Sequence, residues 1–255
     1  MQAVLWGRRP SDWASIQEPT NLPAFDYALQ RLNLSPADNL LDIGCGSGLF
    51  CSLAAASGAT ITGLDGTEAM ILAARERIPS VTFLIGEMES LPFPDASFDI
   101  VTGFNSFQYA SSIPAALLEA RRILKPGGRL VTMIWGNKED CQAAVSLGAI
   151  GKLLPPPPPG APGPFTLSEN RKLEELLTEA GFHVTSSTDV PTIWDYPDIE
   201  IGVKGLLSSG PATRAIDHCG YESVYATLHQ SAQPFVQSNG HLVYNNTNRV
   251  VMATK

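Results

Sequence analysis

The sequence predicts an α/β fold: a doubly wound, mostly parallel seven-stranded sheet with helical cover insertions. Two observations carry this. From Ala37 to Trp135 short apolar runs alternate with helical patterns, and repeated β-α units build a parallel sheet covered on both faces. Within that stretch, Leu40-Leu41-Asp42-Ile43-Gly44-Cys45-Gly46-Ser47-Gly48 sets three alternate glycines directly after an apolar strand and ahead of an apolar helix. A chain of 255 residues, 44% hydrophobic and 16% charged, is long enough for one well-cored domain with substantial insertions.

In order, strands are expected at 39–43, 60–65, 81–85, 98–103 and 129–135, where β-branched and aromatic residues lie between turn signals. Helices fill the gaps at 49–57, at 68–78 behind a Thr67 N-cap, and at 112–124 with Pro114 in its first turn. The 37–135 segment thus forms a core, preceded by a helical arm over 1–36. Residues 136–167 read as an insertion with a helical piece at 141–153 and a run of prolines, Pro155 to Pro159, expected as extended polyproline II. A helix capped by Ser168 runs to Ala180, Gly181 ends it, and a strand follows at 183–188; with 241–255, the segment 168–191 returns to the core. The last strand, 242–254, has an imperfect alternation interrupted by Asn245 to Asn248. Between these strands, 192–240 is a helical cover, with helices at 199–208 and 211–230, the second broken near Gly220.

Composition narrows the function classes. The net charge of −8 offers no basic footprint for nucleic acid, and Thr192 to Lys255 holds four basic residues against five acidic ones. No apolar run reaches the ~18 residues of a membrane span. The first ten residues, with Trp6, Arg8 and Arg9, lack the apolar stretch of a signal peptide, so a cytoplasmic location is expected. Cys45, Cys51, Cys141 and Cys219 have neither zinc spacing nor scaffold density, so no metal or disulfide framework is expected.

Glycines at a strand-helix junction permit positive φ and let the backbone approach a ligand, while the helix behind them points free N–H groups at the same place. The spacing is Gly-x-Gly-x-Gly, not the Gly-x-Gly-x-x-Gly of a pyrophosphate turn, no Lys or Arg lies between Asn39 and Ser57, and Asp42 stands two residues before the first glycine. This turn suits a ligand carrying positive charge. On these residues the chain resembles the class I S-adenosylmethionine-dependent methyltransferases of small-molecule type, a Rossmann-like family. The resemblance extends to Gly86-Glu87-Met88-Glu89-Ser90-Leu91-Pro92-Phe93, with Glu87 where the family usually has Asp, and to the turn at Leu124–Arg129.

The resemblance implies S-adenosyl-L-methionine as cofactor and a small-molecule methyl acceptor. It puts Gly44, Gly46 and Gly48 at the methionine part and Asp65 at the ribose, with Asp42, Cys45, Gly66 and Met70 also among the cofactor-binding residues. Glu87, Met88 and Glu89 fall at the adenine, Phe104 and Asn105 again beside the methionine, and the substrate side receives Trp13, Gln17, Gln108 and Tyr109. Asp65 also serves as a plain helix cap, and Glu87 as a solvated loop acid, in competing readings. An in-line methyl transfer rests mostly on alignment, so no catalytic base is fixed; His229, Tyr109 and His218 are the candidates, the histidines sharing a face only if Gly220 leaves the helix unbroken. Two alternatives stay open: a dinucleotide-dependent oxidoreductase, and an S-adenosylmethionine-binding protein without catalysis.

Overall fold

The structure is a computed structural model that describes residues 2–156 and 163–255. Its seven strands, β1 (Asn39–Ile43), β2 (Thr60–Asp65), β3 (Thr82–Ile85), β4 (Phe98–Phe104), β5 (Leu124–Trp135), β6 (His183–Tyr196) and β7 (Leu242–Thr254), form one sheet in the order β3-β2-β1-β4-β5-β7-β6. The pairs β1–β2, β1–β4, β2–β3 and β4–β5 are parallel; β7 runs antiparallel between β5 and β6. The direction of the sequence reverses outward from β1 and β4, and at such a switch point the loops leaving the carboxyl ends of the two strands part to open a crevice.

The helices are α1 (Gln2–Trp6), α2 (Pro10–Asp12), α3 (Leu22–Leu32), α4 (Leu49–Ala55), α5 (Glu68–Arg77), α6 (Ile113–Ile123), α7 (Ala144–Gly151), α8 (Lys172–Glu179), α9 (Ile199–Leu207), α10 (Gly210–Cys219) and α11 (Tyr221–Ala232). The arm helix α3 with α4 and α5 buries Phe25, Leu32, Phe50 and Ile71 against one face of the sheet. On the other face, α6 and α8 bury Leu117, Ile123, Leu173 and Leu177. A third core lies between the cover helices and the far part of the β6–β7 ladder, around Trp194, Tyr196, Leu207, Leu228 and Tyr244.

Several boundaries differ from the expectation, each for a physical reason. β6 continues past 188 to Tyr196, with Val190, Trp194 and Tyr196 buried on one face, so the cover begins only after the strand and not at 192. Pro191 sits in it without cost because β6 is an edge strand pairing with β7 alone. The Asn245–Asn248 run does not interrupt β7: Asn248 accepts from the Thr192 hydroxyl at 2.8 Å, and Asn246 accepts from the Ala143 N–H at 2.9 Å. β5 begins at Leu124, before the Pro-Gly turn. Ser168 is no helix cap, since its hydroxyl donates to the Trp135 carbonyl, and Thr67 holds the N-cap position of α5 without a side-chain capping bond. Gly220, at φ +85, separates α10 from α11. The polyproline expectation falls largely outside the described residues.

Candidate functional site

The glycine turn leaves β1 with Gly44, Gly46 and Gly48 at φ +72, +53 and +79. Gly44 is the most constrained, because a Cβ there would stand 2.4 Å from the Ser106 Cβ on the loop after β4. The turn opens into a cavity of about 900 Å³ at the carboxyl ends of the strands. From above, the arm lays Trp13 and Glu18 against Gly46: a Cβ on that glycine would meet Glu18 Oε1 at 3.4 Å and Trp13 Nε1 at 3.6 Å.

Four carboxylates surround this end of the cavity: Glu18, Asp42, Asp65 and Glu87. Asp42 is 2% exposed and accepts from the Thr102 hydroxyl at 2.7 Å and the Cys51 thiol at 3.6 Å. Burial, reinforced by the charges of Glu18 and Asp65, pushes its carboxyl up to about 7. Asp65 accepts from the backbone N–H groups of Gly46 at 3.0 Å and Thr67 at 2.8 Å, so it braces the turn as well as facing the cavity, and burial raises it too. Glu18 is also raised by burial, against the opposing pull of Arg77. It accepts from the Ser47 hydroxyl and from Arg77 Nη1, each at 2.5 Å. Carboxylates removed from water favour the neutral form unless a cation is near. Burial also pushes the Cys45 thiol well up, which makes it an unreactive part of the turn.

The sequence-derived residues mostly converge. Asp42, Gly44, Cys45, Gly46, Asp65, Gly66, Met70, Glu87, Met88, Glu89, Phe104 and Asn105 all line the cavity, as do Trp13, Gln17 and Tyr109. Glu89 lines it from the rim, where its carboxylate caps the Ser111 and Ser112 N–H groups ahead of α6. Asn105, at φ +50, donates to Asn21 at 3.4 Å and so ties β4 to the arm.

Four sequence-derived residues lie off the lining. Gly48 packs against Ala74 and Phe83 as the left-handed N-cap of α4. Gln108 points its amide at Asn105, 3.3 Å away. His218 ends α10, and His229 lies on α11, where it faces Glu200 at 3.5 Å. The break at Gly220 removes their shared face. Tyr109 does reach the cavity, but burial holds its phenol up at about 12, which makes it a poor base. Glu18 and the wall residues Phe25, Met133 and Trp135 escaped the sequence reading: a lone acid in a helical arm carries no pattern, and only the closed fold brings it over the turn.

Fold and site together define a Rossmann-like α/β protein with an acidic cofactor cradle. A family model described as a methyltransferase domain matches residues 41–132. The chain is 42% identical over 118 residues to a malonyl-acyl-carrier-protein O-methyltransferase of Erwinia pyrifoliae, over 46% of this chain and 45% of that protein. It is 30% identical over 167 residues to an O-methyltransferase of Aspergillus sclerotiorum, over 63% of this chain and 60% of that one. A SAM-dependent methyltransferase of Aquifex aeolicus shares the fold with a TM-score of 0.55 at 21% identity, covering 71% of this chain and 92% of that chain. Over residues 41–132 the chain is thus similar to the methyltransferase-domain family, and its sheet has the fold of S-adenosylmethionine-dependent methyltransferases. Its matches span about half the length of the curated relatives, and those proteins' acceptors remain theirs.

The family's cofactor, S-adenosylmethionine, suits the residues present. Its sulfonium and ammonium are cations, and the cradle offers buried carboxylates of which, among the described residues, only Glu18 has a cationic partner, Arg77. A dinucleotide fits poorly, because Glu18 already occupies the position above the turn where a pyrophosphate would need the N–H groups of α4.

Proposed function

We propose that the protein transfers a methyl group from S-adenosylmethionine to a small organic acceptor. The observation that carries this reading is the set of carboxylates around a cavity at the switch point of the sheet, into which no Lys, Arg or His reaches among the described residues. When bound, the cofactor supplies a methyl group already activated by its sulfonium. This chain's residues hold and orient: Gly44 and Gly46 give the cofactor close backbone approach, Asp65 and Glu87 offer acceptors for its ribose and adenine, and Asp42 and Glu18 place negative charge near its cationic end. Phe104, which packs on Phe25 and Phe50 at 5.0 and 4.3 Å, closes the wall behind it and keeps water out.

Tyr109 is a poor base and the lining carboxylates serve the cofactor on this reading, so catalysis rests on alignment and water exclusion. Calorimetry with S-adenosylhomocysteine tests the reading. Micromolar binding is expected, and Gly46→Arg, which drives a side chain into the space between Glu18 and Trp13, abolishes it. A wild-type protein that binds neither S-adenosylhomocysteine nor S-adenosylmethionine refutes the proposal. A protein that binds both and turns over no acceptor is the silent binder instead.

A further inference from the structure

The far half of the cavity has a chemistry of its own. All four tryptophans of the chain, Trp6, Trp13, Trp135 and Trp194, line the cavity. Trp135 lies tilted against Trp194 at 5.4 Å, and Leu147 from α7 and Leu206 from α9 extend the same wall. Trp6, edge-on to Trp13 at 4.8 Å and to Tyr109 at 5.3 Å, closes the arm side.

Polar groups interrupt this apolar surface, among them Ser209, the unpartnered indole N–H of Trp194, and Gln17. Gln17 is 5% exposed, its Oε1 accepts from the Tyr196 hydroxyl at 2.9 Å, and the same oxygen is wedged 3.0 Å from where a Cβ on Gly205 would stand. Gln17 lines the cavity, and its amide nitrogen makes no hydrogen bond among the described residues. A donor left free beside the cavity is available to an oxygen of a bound molecule. An anion fares worse, because the charged groups lining the cavity are all carboxylates and a desolvated negative charge would have no counterion.

Resting on the methyltransferase reading, we propose that the acceptor is an uncharged, flat, largely apolar molecule carrying a hydrogen-bond-accepting oxygen. The Gln17 amide receives that oxygen, and the ring lies along the Trp135–Trp194 wall. Acidic acceptors meet lining carboxylates and no Lys, Arg or His among the described residues.

The test uses the full chain saturated with S-adenosylhomocysteine and two probes with one ring system: 2-naphthol, uncharged at neutral pH, and 2-naphthoate, an anion. Calorimetry should show 2-naphthol binding at least about 10-fold more tightly. Gln17→Glu keeps an oxygen for Tyr196 and removes the donor, so it should weaken 2-naphthol about 10-fold, with the melting transition reporting whether the variant is folded. Trp135→Leu, which keeps the wall apolar and removes the flat ring, should weaken 2-naphthol while Gln17 is intact. Equal binding of the two probes, tighter binding of the naphthoate, or binding of neither to the loaded protein overturns the inference. Failure of the wild-type chain to bind S-adenosylhomocysteine at all overturns the methyltransferase reading beneath it, a distinct result.

Discussion

Asp42 concentrates the argument at the scale of a residue. It lies in a strand with its carboxyl facing Thr102 and Cys51, and it has no cation of its own. With its folded-state pKa raised to about 7 from 3.8, the cofactor-free protein holds a proton there that the unfolded chain releases. The stability this confers is fully present below the unfolded value and is lost as pH rises through about 7, because over that interval the native state binds more protons. Denaturant titrations from acid to neutral pH should therefore show wild-type stability falling relative to Asp42→Asn. A cationic ligand reverses the preference, since it favours the ionised carboxylate. Affinity for S-adenosylmethionine should climb with pH up to about 7 in the wild type and stay flatter in Asp42→Asn. Parallel pH profiles for the two proteins would show that Asp42 does not feel the ligand's charge.

At the scale of elements, one guanidinium joins the arm to the glycine turn. Arg77, at the end of α5, donates to Glu18 Oε2, to the Ser47 carbonyl at 2.8 Å and to the Ala14 carbonyl at 2.9 Å, so arm, glycine turn and α5 meet on one side chain. Arg77→Met leaves Glu18 buried without its partner, a loss of about 3 kcal/mol if the arm stays in place. The arm escapes that cost by lifting, and tryptic cleavage after Arg8 should accelerate well before global unfolding. Unchanged cleavage would place the anchoring of the arm elsewhere, in Tyr196 and Gln17. This latch was not legible in the sequence, since Glu18 and Arg77 lie far apart and neither belongs to a periodic pattern. The glycine turn, Asp65 and the Glu87 segment were legible because local backbone geometry fixes them at strand ends. The full length of β6 was not, because its outward face is polar and Pro191 reads as a stop until the edge position of the strand is known.

For the whole molecule, the arm, the sheet and the cover close on one cavity, so its ligand should act as a global staple. The parallel, doubly wound character of the sheet followed from the repeated β-α rhythm, and the order of its strands came from the fold. Which of the later segments form the walls depended on tertiary packing, because Trp135, Trp194 and Leu206 look like ordinary core residues until β6, β7 and α9 meet. A ligand that binds only the native state at 100 times its Kd adds about 2.7 kcal/mol. For a chain of this size that corresponds to a rise in Tm of about 5–10 °C. S-adenosylhomocysteine should produce this shift in thermal melts, and the gain should be smaller in Arg77→Met, whose loosened arm must first be ordered. NADH at the same molar excess should leave Tm unmoved, because Glu18 holds the helix end that its pyrophosphate requires. A comparable shift with NADH would mean that Glu18 yields its place to an anion, and the cradle would then have to be reassigned to dinucleotides.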